Sequence, residues 1–315
     1  MEHLASKRNL WYAISLIVVV PGLVFLFLFG LNLGIDFTGG SAWEVQFDRQ
    51  VNTETIQATL AENGRSEAQV QQIGDDDDFT YLIRMRALQE GSAEKETLTQ
   101  ALGALGTLNP SREALNTVGG SVATSIGQRS IFAVAAASVG VLLYIAWAFR
   151  NTQNPLLYGI CAIIAMLHDA LLVVGLFAIL GVVADVEVDA LFVTALLTVI
   201  GFSVHDTIVV FDRIRENLIA RVAPTFEEVV NYSIAQTIVR SLNTSLTVVI
   251  TLLALYLFGG STTREFVLAL LIGLISGTYS SIFNASQLLV SWENGEIQGF
   301  VNRIFRRRAA TPASA

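Results

Sequence analysis

Six long apolar runs constrain what this chain can fold into. They cover roughly residues 10–30, 130–149, 156–180, 189–210, 237–258 and 265–290. A helix needs about 20 predominantly apolar residues to cross a hydrocarbon core of about 30 Å. The sequence therefore predicts an α-helical polytopic membrane protein with six transmembrane helices. The first run follows Lys7 and Arg8 but has no Ala-x-Ala-like cleavage site, so we expect a retained anchor rather than a signal peptide.

The composition excludes several classes of protein. Charged residues make up 15% of the 315 residues, against about 25% in soluble domains. A net charge of −8 argues against a nucleic-acid partner, which would need a basic surface. One cysteine, Cys161, and three histidines without His-x-x-x-His spacing argue against a disulfide framework, a thiolate cluster and a zinc enzyme. No phosphate-binding glycine loop follows a predicted strand, so we do not expect the chain to use bound ATP. We also expect no metal, no cofactor and no enzymatic activity.

The distribution of lysine and arginine predicts the orientation, because short cytoplasmic loops carry an excess of both. With six spans both termini lie on one side of the membrane. On the other side, the loops 181–188 and 259–264 contain a single basic residue, Arg264. Both termini are therefore expected in the cytoplasm. The basic residues on that side are Lys7, Arg8, Arg150, Arg213, Arg215, Arg221, Arg303, Arg306, Arg307 and Arg308.

This orientation divides the chain into four expected segments. Residues 1–31 form the cytoplasmic N-terminus and the first helix, 32–129 an extracytoplasmic α/β domain, 130–290 the second to sixth helices, and 291–315 a cytoplasmic tail. In the outer segment the pattern predicts strands at 42–47, 69–73, 79–85 and 112–118 and helices at 53–62 and 92–105. The order β-α-β-β-α-β is that of the ferredoxin-like motif. We expect the acidic turn at 75–78 to be a solvated hairpin tip rather than a cation site.

Two charged residues are predicted to lie at similar depth in neighbouring spans. Asp206 is about four residues from the end of the fourth span, and Arg240 is about four residues into the fifth, counted from the same side. Because consecutive helices joined by a loop run antiparallel, these side chains could face each other. A charge buried in a membrane needs a partner or water. We therefore expect an Asp206–Arg240 pair.

Polar side chains on the same helix faces suggest what the pair is for. Ser203 and Thr207 accompany Asp206, and Asn243, Thr244 and Thr247 accompany Arg240, while His205, His168 and Asp169 add ionisable groups. If the Asp206–Arg240 distance changes with conformation, the proton affinity of Asp206 changes with it, and protonation shifts the conformational equilibrium. The pattern favours a hydrated proton path. A static ion pair that fixes helix register is the alternative.

The sixth span carries a stripe of small residues, Gly273, Gly277 and Ser281, at every fourth position. Small residues at this spacing let helix backbones approach closely in membranes. We interpret the stripe as a packing face, used either within the chain or against a partner subunit.

Four motifs in order resemble the SecF family of bacterial protein-export membrane subunits, within the resistance-nodulation-division (RND) superfamily. They are LGIDFTGG at 33–40, which contains Gly34, Asp36, Gly39 and Gly40, DTIVVFDRIREN at 206–217, RSLNTSLT at 240–247 and GTYSSIFNA at 277–285. The resemblance extends over nearly the whole chain. Two departures are His205, where the family often has Asn or Tyr, and Gly120, where we expect proline and where the turn is therefore predicted to be looser.

The resemblance implies a role that composition alone does not give. It implies an RND-type half bundle in the bacterial inner membrane, completed by SecD and associated with the SecYEG channel. Such a complex uses the proton-motive force to draw translocating preproteins out of the cytoplasm, with coupling assigned to Asp206 and Arg240 and a structural or motion-transmitting role to Asp36. Two alternatives stay open: a proton-driven RND-type small-molecule exporter, and a scaffold of the translocon without a motor function.

Overall fold

Six helices of the computed structural model are long and apolar enough to cross a membrane, the number that the sequence predicts. The structure describes residues 4–73, 78–150, 152 and 154–296. The spanning segments are Ala5–Phe29, Gly120–Ala148, Pro155–Val183, Ala190–Ala220, Phe226–Phe258 and Thr263–Glu293. Most of the acidic turn at 75–78 and the tail from residue 297 lie outside the described residues.

The helices and strands follow one another in a simple order. The helices are α1 (Arg8–Phe29), α2 (Ile35–Thr38), α3 (Thr53–Glu62), α4 (Ala93–Gly103), α5 (Gly120–Ala148), α6 (Pro155–Val183), α7 (Ala190–Ala220), α8 (Phe226–Phe258), α9 (Ser261–Ser280) and α10 (Ser286–Glu293). A π-helical turn, Ser281–Ala285, separates α9 from α10. The strands are β1 (Gly40–Gln46), β2 (Gln69–Gln72), β3 (Thr80–Met85) and β4 (Ala114–Val118).

The chain divides into two units, each with its own packing. The larger unit holds most of the spanning helices, and the smaller one comprises Leu33–Phe132 and Val188–Ala190. In the smaller unit the four strands form one antiparallel sheet in the order β2-β3-β1-β4. Along the chain the elements run β-α-β-β-α-β, as the sequence pattern predicts.

The sheet is stabilised by one buried face. Inward positions alternate with outward ones along β1, as the two-residue period of a strand requires. The two helices of this unit begin with side-chain caps: Asn52 accepts from the N–H of Glu54, and Ser92 accepts from the N–H of Lys95. The core consists of Trp43, Val45, Phe47, Val51, Ile56, Leu60, Ala68, Tyr81, Ile83, Met85, Leu88, Leu98 and Leu102.

In the larger unit, α6 is the helix around which others pack. Its Gly175 meets Gly22 of α1 so closely that a Cβ on Gly22 would lie 2.8 Å from the Gly175 backbone. At one end of the unit, Phe149, Tyr158 and Phe211 form an aromatic cluster with ring centroids 5.1–6.1 Å apart. Close backbone contact and interlocking aromatic rings fix the relative positions of α1, α6 and α7.

Three helix ends differ from the sequence expectation. The fourth span, predicted to end at residue 210, continues as a helix through the charged segment 212–216 to Ala220. The next helix, α8, starts at Phe226, eleven residues before the predicted position 237, and Thr225 caps it. The helix α5 begins at Gly120, so the predicted looser turn is confined to the residues just before it. Apolar composition marks the part of a helix that faces lipid, and it misses polar turns that extend the same helix beyond the membrane.

Candidate functional site: polar groups inside the helix bundle

The carboxylate of Asp206 lies half-buried on α7 beside α8. It interacts with the hydroxyl of Ser245 and with the adjacent His205 ring. Thr278 of α9 donates to the Ser245 hydroxyl at 2.6 Å, so hydroxyls from two helices lead to this carboxylate. His205 itself is exposed. An acid with partial access and nearby hydroxyls can exchange a proton when water reaches it.

The structure does not bring Arg240 to Asp206. Within the described residues no ion pair joins them, and the Arg240 side chain is exposed. Asn217 of α7 donates to Ser233 and Gln236 of α8, which fixes the register of the two helices. In that register Asp206 is level with Ser245, about 7 Å along the helix axis from Arg240. The expected contact is therefore absent in this structure, while the coupling role assigned to the two residues stays a prediction.

The buried face of α8 is a different stripe from the one that the sequence emphasised. The small hydroxyl residues at every fourth position, Ser233, Thr237, Ser241 and Ser245, are buried. The predicted path residues Asn243 and Thr244 are exposed, as is Thr247. The Thr244 hydroxyl donates to the Arg240 carbonyl at 3.0 Å, within its own helix. The four-residue spacing of the buried hydroxyls is visible in the sequence, so this signal was available.

Asp169 is the most deeply buried charged group of the larger unit's described residues. It is the middle residue of α6 and is 0% exposed. Its Oδ2 accepts from the hydroxyls of Ser203 at 2.6 Å and Ser280 at 2.5 Å, and its Oδ1 accepts from Ser276 at 2.6 Å. Hydrogen bonds to a carboxylate are short and about twice as strong as those between neutral groups. Asp169 thus joins α6, α7 and α9.

His168 lies next to this carboxylate and also lines a cavity. Its Nδ1 lies 3.1 Å from Asp169 Oδ1, whereas its buried Nε2 has no hydrogen-bond partner among the residues that the structure describes. The ring lines a mostly apolar cavity of about 420 Å³, together with Ser15 and Tyr279. The ring therefore lies between the Asp169 junction and this cavity.

The stripe of small residues packs α9 against α7 residue by residue. A Cβ at Gly273 would lie 2.1 Å from Val199, and one at Gly277 would lie 3.3 Å from Ser203. The Ser281 hydroxyl lies 3.0 Å from that of Thr207 and donates to the Ser203 carbonyl at 3.1 Å. The predicted path residues Ser203 and Thr207 therefore belong to a packed α7–α9 contact that also serves Asp169.

Four functional-site residues were missed by sequence reasoning: Ser245, Ser276, Ser280 and Asn284. Ser276 and Ser280 recur at four-residue spacing on α9, which places both on the face that meets Asp169. Asn284 sits in the π-helical turn and accepts from the Ser15 hydroxyl at 3.0 Å. π-helical turns are frequent at functional sites because they re-aim side chains within a helix.

The opening motif of the smaller unit has a structural explanation. The N–H of Gly34 donates to the Val188 carbonyl at 2.9 Å, and Asp36 accepts from the N–H of Ala190, the first residue of α7, at 2.9 Å. A carboxylate at a helix N-terminus satisfies a free N–H and complements the helix dipole. Gly39 and Gly40 have φ values of 73° and 123°, which side chains rarely adopt.

Metal ligands do not gather in the described residues: no three His, Cys, Asp or Glu side chains come close enough to hold an ion.

Comparison with known proteins gives a consistent result. Residues 97–295 match the family model "Protein export membrane protein SecD/SecF, C-terminal", and residues 24–51 match the "SecD/SecF GG Motif" model. The chain is similar to the protein translocase subunit SecF of Thermobaculum terrenum, with 55% identity covering 98% of each chain. It is also similar to that of Anaerolinea thermophila, with 44% identity covering 100% of both.

A solved structure extends the similarity to the fold. The crystal structure of SecDF from Thermus thermophilus, a translocon-associated membrane protein, has 33% identity and a TM-score of 0.79 over 92% of this chain. The match covers 38% of the SecDF chain.

Proposed function

The chain belongs to the SecD/SecF family of protein export membrane proteins, and from this premise we propose that it is the SecF-type subunit of a proton-driven complex with SecD. Family membership and the six apolar helices make it a multi-pass protein of the bacterial inner membrane with an accessory role in Sec export. The finer parts of the proposal are pairing with SecD, proton coupling, and action on preproteins at SecYEG.

The open polar face of α8 is the observation that carries the proposal. Arg240, Asn243, Thr244 and Thr247 are exposed in a helix otherwise apolar enough to span a membrane. A charged side chain that faces lipid within a span is costly, so such residues face protein or water. The family context supplies SecD as the protein that covers this face. Together the two subunits would enclose the guanidinium and the partly open Asp206.

Proton coupling follows from that enclosure. In the single chain Asp206 is half-buried, and Arg240 lies roughly 7 Å from it along the helix axis, by the rise of about 1.5 Å per residue. A change in helix packing that brings them together favours the ionised acid, and a change that separates them favours the protonated one. A membrane potential contributes about 2.3 kcal/mol per charge per 100 mV, enough to bias a two-state bundle.

The remaining parts of the proposal concern placement. We propose that both termini are cytoplasmic, on the basis of the lysine and arginine distribution. The antiparallel sheet and its β-α-β-β-α-β order support a ferredoxin-like arrangement for the smaller unit, placed outside the cytoplasm.

Export of a secreted protein in cells that carry Asp206→Asn tests the function. The proposal expects assembled complexes with SecD whose export no longer responds to the proton gradient. The matched control is Glu216→Gln, an exposed acid on the same helix, which should export normally. Normal export by Asp206→Asn would favour a scaffold, and altered drug tolerance with intact secretion would favour a small-molecule exporter. Arg240→Lys should also impair export, because lysine lacks the planar donor fork.

A further inference from the structure

A polar cavity of about 400 Å³ lies where α6 begins and α7 and α10 end. It is distinct from the groups around Asp169 and Asp206. Polar side chains from Thr152, Asn154 and Tyr158 line it with two arginines, Arg215 and Arg221, and one acid, Glu293. Leu157, Leu218, Ile219, Phe226 and Leu289 form its apolar wall.

The two arginines differ from their neighbour Arg213 in how their charge is paired. Within the described residues Arg215 pairs with Asp212 at 2.7 Å, and its buried Nε has no hydrogen-bond partner there. Arg221 is exposed and forms no ion pair within the described residues. By contrast Arg213, on the same helix but outside the cavity, pairs with Glu216 at 2.6 Å. The exposed Arg221 guanidinium, with no ion pair among the described residues, is therefore open to an incoming oxygen anion.

The backbone at Arg221 supports a binding role. Its φ is 52°, in the left-handed region. The N–H of Val222 donates to the Asn217 carbonyl, and that of Arg221 donates to the Leu218 carbonyl, the pattern that ends a helix at a position where glycine is usual. An arginine in this conformation is less favourable for the backbone than glycine would be, so the fold does not require its side chain here.

We propose that this cavity binds the phosphodiester headgroup of an anionic phospholipid. Arg215 and Arg221 would hold the phosphate oxygens, for which a guanidinium offers paired donors. The apolar wall and Ile219, which is 77% exposed, would follow the acyl chain. Basic pockets between helices at the ends of membrane spans have the chemistry for such headgroups. The exposed Glu293 limits affinity by repulsion. This inference does not rest on the proposed export function.

Native mass spectrometry of the full chain in detergent tests the proposal. Titration with dioleoyl-phosphatidylglycerol should give one saturable bound lipid, and dioleoyl-phosphatidylcholine should bind much more weakly. Arg221→Gly should weaken phosphatidylglycerol binding about tenfold, the effect of losing one charge-assisted contact. The same change removes the unfavourable backbone position, so the thermal midpoint should stay equal or rise. Arg215→Gln should also weaken binding, the control Arg213→Gln should not, and Glu293→Gln should strengthen it.

The results separate the possible outcomes. Equal phosphatidylglycerol binding by wild type, Arg221→Gly and Arg215→Gln would overturn the proposal. Inorganic phosphate, assayed by thermal shift, should have no effect at millimolar concentration. If it binds with the same dependence on Arg215 and Arg221 while phosphatidylglycerol does not, the ligand is a soluble phosphate and the lipid assignment is wrong.

Discussion

Asp169 accepts a 2.6 Å hydrogen bond from Ser276, a residue 107 positions later in the chain. With Ser203 and Ser280 it forms a junction of three helices around one fully buried carboxylate. Asp206, in contrast, is half-buried and interacts with one hydroxyl from α8, that of Ser245. Two acids in the same apolar bundle therefore have different environments: Asp169 is fully enclosed by hydroxyl donors, whereas Asp206 is partly accessible.

The enclosed carboxylate of Asp169 should contribute to the stability of the helix bundle. Asp169→Asn replaces one acceptor oxygen by an NH₂ donor where three hydroxyls donate, and it should lower the free energy of unfolding by about 1–3 kcal/mol. Asp206→Asn, which removes few contacts, should cost less than about 1 kcal/mol. Thermal unfolding of both variants in the same detergent measures the difference. A stability of Asp169→Asn equal to that of wild type would show that the junction does not hold the helices.

The opening glycine motif makes a second prediction. Gly40 has a φ of 123°, and a Cβ there would lie 2.6 Å from the Met85 carbonyl oxygen. Gly40→Ala should destabilise the smaller unit by about 1–3 kcal/mol. Gly103→Ala is the control. Gly103 is the last residue of α4 and a Cβ there meets nothing within 4 Å, so the substitution should be neutral or slightly stabilising. Hydrogen exchange of β1 and β3 amides reports the change, and equal protection in both variants would contradict it.

The third prediction concerns the stripe of small residues on α9. Gly273→Ala places a methyl group 2.1 Å from Val199 and should cost about 1–3 kcal/mol by overpacking. Adding Val199→Ala should recover part of that loss, which a double-mutant cycle measures as a coupling energy. Gly201→Ala, with open space around it, should be near neutral. Additive effects of the Gly273 and Val199 changes would mean that these residues do not touch.

A fourth prediction concerns acid in the smaller unit. Hydrogen bonding to Arg86, at 2.9 and 3.2 Å, lowers the pKa of Glu67 from 4.5 to about 2. Because the folded pKa is below the unfolded one, this pairing stabilises the fold above about pH 4.5 and is lost as the pH falls towards 2. The solvent-exposed pair should contribute about 1 kcal/mol or less.

Comparison of thermal unfolding at pH 7 and pH 3 checks this. Glu67→Gln should be less stable than wild type at pH 7, and the gap should narrow at pH 3. The matched control Glu62→Gln, at the exposed end of α3, should show no such gap at either pH. A constant gap for Glu67→Gln across the range would mean that its charge contributes nothing.

The sequence predicts how many helices span the membrane better than it predicts which side of each helix meets its neighbours. Runs of apolar residues give the six spans directly, and the alternation of β1 gives its buried face. The Asp206–Arg240 contact was inferred from distance to the helix ends, which the polar extensions of α7 and α8 make uncertain. The register is set by Asn217 and Ser233, a contact between side chains outside the apolar runs.

The junction at Asp169 lay beyond sequence reasoning for a related reason. Its three serines come from α7 and α9, and nothing in the local pattern pairs a given carboxylate with a given hydroxyl across helices. The sequence shows that Asp169 lies inside the third apolar run, but only the packing shows that its oxygens accept hydrogen bonds from Ser203, Ser276 and Ser280. The open stripe at Arg240 is the converse case, since no ion-pair partner for Arg240 lies among the residues that the structure describes.

Proton entry into liposomes that hold the purified complex of this chain with SecD tests the central claim most directly. An imposed membrane potential drives the protons, and a pH-sensitive dye inside reports them. The account predicts that Asp206→Asn reduces proton entry to that of empty liposomes while the complex stays assembled. Unchanged proton entry through an assembled Asp206→Asn complex would contradict it.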